Sequence, residues 1–573
     1  MKSFFLRPLL VLALASFSQF ARARVGAEIP WTTYEAEEMK TTGIVLGPKY
    51  GPFLVEMESS GQKCVKLRAA GEYVEFTVQS SANSLVVRYS LPDAPTGGGI
   101  DSTLSVYQNE KLIKKLPLSS RCTLLYGKFP FSNKPQDGKP RNFYDECRLK
   151  DLKLLKGDVV RLEKTDSRAP YCIIDLVDLE QAPPPSAAPG NSLSLAEFGA
   201  NGSGETDDTE ALKKCIAAAA KQGKAVWAPA GIYKLSGDID LPARVVIRGA
   251  GMWHSTFIGA PELYGQANRR VRFKLNGSNI RLEDFAIVGA LNYRNDSEAN
   301  DGILGNHCDN SALTRLWIEH TKVGMWFYYS SGLMVEGCRF RNTIADGLNF
   351  CAGVRNSLVQ NCTTRGTGDD CFAIWPAPPD QPFAILVPGS NVVRHCTGQL
   401  PFLANGGSIY GGASNRIEDC LFTDISPGCG ILLSTTFPTS SDQLKVDNNF
   451  SGTTVVRNCE LRRCGGFDHE WAWRAAMQLC LDRKSISGVT VTDVEIKDSL
   501  SDGLSIIAPG TKNGQGTLSN TRFENVDIHN CGLGAVSRRG LWVRQDASGS
   551  LTLSHSRISD IQNSSTNFTI IKE

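Results

Sequence analysis

The chain has 573 residues, with 61 Lys+Arg against 59 Asp+Glu and 41% hydrophobic residues. That length exceeds what one ordinary core fills and predicts more than one domain. A net charge of +2 supplies no field for collecting nucleic acid or coating an anionic membrane, so neither is expected as a partner.

Lys2 and Arg7 flank the start of a short apolar run, Leu9–Ala15, and Ala21-Arg22-Ala23 offers small residues at the spacing of a signal cleavage site. Residues 1–23 therefore read as a cleaved export signal, and the mature chain as secreted or periplasmic. The run is too short to span a bilayer. No later stretch looks membrane-spanning, and the expectation is a soluble monomer.

Residues 24–182 are rich in short alternating runs such as Tyr73–Val78 and Leu85–Tyr89, separated by turn residues, which predicts an antiparallel β-sandwich. The opening WTTYEAE (31–37) and the closing IIDLVDLE (173–180) resemble the ends of carbohydrate-binding modules of families 6 and 35. In those modules early glutamates and a late aspartate hold a structural calcium through oxygen ligands. The resemblance implies Glu35, Glu37 and Asp175 for that role; the competing reading is solvated charge at strand edges. Residues 183–191 form a linker, because Pro183-Pro184-Pro185 can neither join a sheet nor continue a helix and makes a stiff extended spacer.

Residues 192–573 open with a helical stretch, 210–222, for which Thr206 or Asp207 is the expected cap. Strand-like pieces at 226–233 and 245–251 follow. This order resembles the entry to pectate-lyase-like β-helices, in which an N-terminal helix covers the open end of the solenoid. The glycine-rich pieces lack the GK[ST] of a phosphate loop. From about residue 278 a theme recurs: Val335…Cys338, Val359…Cys362, Val393…Cys396, Ile417…Cys420 and Val456…Cys459 each place an apolar residue three positions before cysteine. A period in the low twenties with short strands predicts a right-handed parallel β-helix. Buried cysteine behaves as a small hydrophobe, so these five read as an internal thiol stack, with disulfides between neighbouring coils as the alternative. No CxxC or CxxH cluster has zinc spacing.

The stretch from Asp301 to Trp375 carries the chemistry. It holds Asp301-Gly-Ile, Ile318–Trp326 (IEHTKVGMW), Arg341–Asn349 (RNTIADGLN) and Arg365–Trp375 (RGTGDDCFAIW). Asp346 precedes Asp369 and Asp370 by about one coil, so a solenoid brings the three carboxyls to one face. Glycoside hydrolysis needs one protonated carboxyl and one carboxylate, and crowding of like charges supplies the protonated form. Adjacent residues of a regular strand point to opposite faces, so Asp369 and Asp370 cooperate only if Gly366-Thr367-Gly368 bends the chain.

Taken together, these four segments resemble glycoside hydrolase family 87, the α-1,3-glucanases and mycodextranases. The resemblance implies an inverting hydrolase of α-glucan that needs no cofactor for catalysis, with Asp369 as general acid and Asp346 and Asp370 holding and deprotonating the attacking water. Trp326, Asn349, Trp375, His395, Asn405 and Tyr410 lie in or near matching segments and are candidates for sugar binding, while Trp471 and Trp473 are expected on a loop that shapes the cleft. Two other readings compete. One is a polysaccharide lyase of the same fold, using calcium on the carboxyl cluster and a Lys or Arg base. The other is a carbohydrate-binding protein without catalysis.

Overall fold

The computed structural model describes residues 24–376, 387–436, 450–468, 472–482, 484–509, 516–534 and 537–573. The proposed export signal (1–23) and Trp471 lie outside the described residues.

Residues 31–180 build two large antiparallel sheets, one of six strands and one of five, and a two-stranded ribbon of Leu125–Tyr126 with Pro140–Arg141. The strand Val159–Lys164 alternates half-buried and buried positions, as an antiparallel strand with one wet face should. Ser84–Ser90 and Cys172–Glu180 depart from that rule, because every residue of both is buried. Their inward side chains, among them Val87, Ile174 and Val177, fill the sandwich core. Their outward side chains include Asp178 and Glu180, and the second domain covers them. Arg365 donates to Glu146 and, at 2.8 Å, to Asp178. Arg339 makes a two-pronged contact with Glu180 at 2.7 and 2.8 Å. Arg148 pairs with Glu319, and the His320 ring lies 2.7 Å from Asp145. These charges cross the interface almost without solvent.

From Ser192 onward the strands are parallel and stack into a β-helix whose faces form one 25-stranded and one 12-stranded sheet among the described residues. Each coil turns its corners with a single residue in the left-handed region. One corner uses Asn361, His395, Asp419 and Asn458 at φ of 53°, 48°, 54° and 49°. A second uses Asn342, Gly366, Leu400 and Asp424. Asn and Asp tolerate this conformation better than most residues, and each corner N–H bonds the next coil: Asn361 to the Arg394 carbonyl, His395 to that of Glu418. Val335, Val359, Val393, Ile417 and Val456 stack inside, all 2% exposed or less. Beside them run Cys338, Cys362, Cys396, Cys420 and Cys459, all free thiols. Each Sγ donates to a carbonyl of the preceding coil, Cys362 to Val335 at 3.7 Å and Cys420 to Val393 at 3.6 Å. The thiol ladder is thus a hydrogen-bonded part of the core.

The helix Thr209–Gln222 seals the first coil with Leu212, Cys215, Ile216 and Ala219. Its first turn is held by Asp207, whose side chain accepts from the Thr209 N–H at 3.0 Å, although the boundary residue itself is Asp208. The proline-rich stretch is exposed but lies on the solenoid instead of spanning open solvent. The Ser186 N–H donates to the Ala250 carbonyl, and the His254 ring contacts the Pro183 carbonyl, both at 2.8 Å.

Glu146 is flanked by Arg365 and Arg341 with no solvent access. Removing one charge of such a set strands the others. Glu146→Gln should therefore lower unfolding free energy by about 3–5 kcal/mol, measured by denaturant titration of the full chain, while Asp101→Asn at the exposed pair with Arg121 should cost less than half as much.

Candidate active site

Asp346 sits two residues before the strand Leu348–Phe350, Asp370 two before Phe372–Ile374, and Asn405 two before Gly407–Ile409. The registers Leu348↔Phe372 and Phe372↔Gly407 place Asp346, Asp370 and Asn405 on three consecutive rungs of one ladder. Asp369 joins them because the chain bends just before it. Gly366 is left-handed at φ 73°, and Gly368 presses so closely on the Ile344 carbonyl that an added Cβ would lie 2.1 Å from it. The two aspartates therefore occupy a turn and not a strand, which removes the alternation that would have sent them to opposite faces. One carboxylate oxygen from each of Asp346, Asp369 and Asp370 lies within 4.8 Å of the others.

Asp346 and Asp370 are 6% and 3% exposed, whereas the Asp369 side chain is 28% exposed and is the one that reaches solvent. Each carboxylate has its own donors. Asn349 donates to Asp346 at 2.7 Å. Asn405 donates to Asp370 from its amide at 2.8 Å and its backbone at 3.1 Å, and the Tyr410 hydroxyl donates at 2.8 Å. Arg294 donates to Asp369 at 2.6 Å. Burial, reinforced by the charges of Asp369 and Asp370, raises Asp346 well above the usual carboxyl range. Burial and Asp369 raise Asp370 to about 7 against the pull of Asn405 and Tyr410. Asp346 and Asp370 both favour the protonated form, and their titration belongs to the pair.

Three carboxylates at this spacing have the reach to surround a cation. The donors aimed at them are what a proton-bearing site needs, and a guanidinium already in contact with Asp369 opposes a second positive charge. Arg294 is 7% exposed at its side chain and engaged by Asp369 and Asp296, so it is not placed to act as a lyase base.

Of the candidates for sugar binding, Asn349, Asn405 and Tyr410 are brought to the cluster, but as hydrogen-bond partners of its carboxylates. Trp326 and Trp375 are half-buried and meet edge to face with centroids 5.8 Å apart, on rungs that bracket Asn349. His395 is a correction. It occupies a left-handed corner on another edge of the solenoid, exposed and 3.6 Å from Asp419, where residues 26–28 cross: Gly26 and Glu28 donate to Asp419 and Asn361. Its sequence position beside Cys396 marked a corner rung, not the cleft. Trp473 packs its edge on Phe467 at 5.6 Å, and Phe467 lines a small pocket between the domains with Phe53, Arg141 and Phe402.

The residues expected to hold calcium in the first domain lie close enough to raise one another's pKa, and Oε2 of Glu35 and of Glu37 is buried without a hydrogen-bond partner. Asp175 is fully buried with one oxygen on Arg88 and the other on the Ser60 N–H. Among the described residues, Glu35, Glu37 and Asp175 do not bring three ligand oxygens together as the aspartate cluster does. Glu35 instead accepts from the Ser60 hydroxyl at 2.9 Å, and burial with the neighbouring Asp175 raises it to about 8. A guanidinium already balances the most buried of the three acids.

Arg294 was not found from the sequence. It lies in an unrepetitive segment between coils, and nothing in its neighbours signals that it reaches residue 369. Asp301, by contrast, is a bracket of the coil: buried, it accepts from the Tyr264 hydroxyl and the Lys322 N–H.

Two family profiles match the chain, the α-1,3-glucanase catalytic domain D1 over residues 28–182 and D2 over residues 203–562. Among solved structures, the catalytic domain of Agl-KA aligns with TM-score 0.86 at 24% identity, covering 97% of this chain and 100% of that one. The catalytic unit of the thermostable GH87 α-1,3-glucanase from Streptomyces thermodiastaticus HF3-3 aligns with TM-score 0.80 at 28% identity, covering 95% and 96%. A GH87 α-1,3-glucanase variant in complex with tetrasaccharides aligns with TM-score 0.83 at 25% identity, covering 96% and 99%. Among curated proteins, the pre-neck appendage protein of Bacillus phage B103 is 34% identical over 185 residues, 31% of this chain. The match spans only a fifth of the length of that relative.

A folded carboxyl that resists ionisation penalises the native state once the unfolded chain has ionised. For Asp346 the penalty is absent below the unfolded pKa of about 4 and grows as pH rises past it. Asp346→Asn should therefore raise the unfolding temperature at pH 7, with the gain closing as pH is lowered to 4, in paired thermal scans of the two proteins.

Proposed function

This chain belongs to the α-1,3-glucanases of glycoside hydrolase family 87, and we propose that it hydrolyses α-1,3-glucosidic bonds of an α-glucan with inversion at the anomeric carbon. The observation that carries the reading is the convergence of three carboxyls from adjacent coils within 4.8 Å. Asp369, the most exposed, gives its proton to the glycosidic oxygen as the bond to C1 breaks. Asp346 and Asp370, seated deeper, hold a water and take its proton as its oxygen bonds C1. Burial keeps protons on the deep pair at neutral pH, so the reacting state forms when a proton passes from that pair to Asp369 and leaves a carboxylate behind to take one from the water. Support comes also from oligosaccharide complexes of GH87 variants with one aspartate replaced by alanine. The three replaced positions are spaced as Asp346, Asp369 and Asp370 are here.

The closest-oxygen spacing is shorter than the roughly 5–5.5 Å of retaining pairs and the roughly 6.5–9.5 Å of inverting ones. The stereochemistry therefore has to be read from the product. Trp326 and Trp375, half-buried on rungs that bracket Asn349, offer indole surface for a glucosyl ring. The reading includes export of the chain, for which Lys2, Arg7 and the apolar run speak, and action as a monomer.

Incubation with α-1,3-glucan, nigeran, dextran and polygalacturonate, followed by NMR of the first products, tests this. α-1,3-Glucan should release β-anomers, and Asp369→Asn should lower kcat by about 10²–10⁴. Initial α-anomers would refute inversion, and ultraviolet-absorbing unsaturated products from polygalacturonate would establish a lyase instead.

A further inference from the structure

Arg294 connects the carboxyl cluster to the other domain. Its Nη2 donates to Asp369 at 2.6 Å, its Nη1 to the Gly368 carbonyl at 2.9 Å and its Nε to Asp296 at 3.0 Å. It thus holds both the carboxylate and the backbone of the bend that presents it. Those bonds all lie at the edge of the guanidinium, and its flat face is free for an aromatic ring that shields it from water and strengthens its hold. The cover comes from the sandwich domain: the Phe129 ring lies 4.6 Å from the guanidinium carbon. Two further contacts seat the same loop on the segment carrying Arg294. The Arg294 N–H donates to the Phe131 carbonyl at 3.1 Å, and the Asn133 amide donates to Asn292 at 3.3 Å. Phe131 is itself buried in the apolar cluster of the β-helix, and Arg141 stacks on it at 4.4 Å.

We propose that residues 129–133 of the sandwich domain are a positioning element of the reaction centre, acting through Arg294 on Asp369. The proposal rests on the assignment of Asp369 above. It gives the first domain a part in catalysis that a separable sugar-binding module does not have. Phe129 suits the role and its test equally well, since it is 43% exposed, so trimming it removes the cover without hollowing a core. The groups that share the field of Arg294 are Asp369 and Asp346 on the solenoid, and Asp296 and Lys322 beside it. Removing the cation favours the protonated form of every carboxyl in reach, so the whole pH–rate profile moves to higher pH.

The test compares Phe129→Ala, Arg294→Lys, Arg294→Met and Asp369→Asn in the full chain, measuring kcat, KM and the pH profile on α-1,3-glucan, with thermal unfolding as a fold control. Arg294→Met should lower kcat by about 100-fold, on the scale of a misplaced catalytic group, and move the profile upward. Arg294→Lys should keep the profile in place but recover only part of kcat. Phe129→Ala should lower kcat several-fold with KM nearly unchanged and the unfolding temperature preserved. Wild-type kcat and profile in Phe129→Ala and Arg294→Met overturn the proposal, as does a rise confined to KM, which would make Phe129 a sugar platform. Should Asp369→Asn itself keep wild-type turnover, the assignment of the site fails, and not merely the positioning role.

Discussion

Everything in the second domain depends on coils that stack in register at the strand spacing of about 4.8 Å. A carboxylate on one rung meets another on the next only if every corner between them turns at the same point. The left-handed residues enforce that. Asn361, His395, Asp419 and Asn458 repeat one corner, and Asn342, Gly366, Leu400 and Asp424 another. The conformation carries a local cost, which the corner N–H bonds to the next coil and the thiol and aliphatic ladders inside offset. A slip of one residue at any corner would carry Asp346 away from Asp370 and turn the interior ladder outward.

The second constraint is the charged interface. Arg365 is bound by Glu146 and Asp178 of the sandwich and immediately precedes the glycine bend that carries Asp369. Buried ion pairs contribute little net stability but penalise misalignment strongly. The interface thereby fixes where the strand Thr363–Arg365 ends, and so where the bend begins. The matched family profiles likewise assign both regions to one catalytic unit. Phe129 and Arg294 extend the same logic to the carboxyl itself.

Much of this was legible in the residues. The recurrence of an apolar residue three positions before cysteine announced the solenoid, since a buried ladder repeats chemistry at fixed spacing. The distance from Asp346 to Asp370 equals one coil, and two glycines before Asp369 announced the bend. What stayed hidden was side-chain reach across elements. Asn349 shares a segment with Asp346, and Asn405 and Tyr410 lie beyond the segment of Asp370, but nothing in sequence says whether such a group faces a sugar or a carboxylate. His395 resembled a groove residue because corners and grooves use the same residue types. The resemblance that offered Asp175 for calcium says nothing of Arg88, which pairs with it from a strand 87 residues earlier. Arg294 was invisible, because an unrepetitive insertion has no register to read.

The account stands on the claim that the bend at Asp369 and the rungs of Asp346 and Asp370 are where the glycosidic bond is broken. A crystal structure of the Asp370→Asn protein with an α-1,3-linked tetrasaccharide tests this most directly. The account predicts a glycosidic oxygen within hydrogen-bond distance of the Asp369 carboxyl and a water near the anomeric carbon, in contact with Asp346. An oligosaccharide seated on another face of the solenoid, or on the sandwich alone with the three carboxyls untouched, would contradict it.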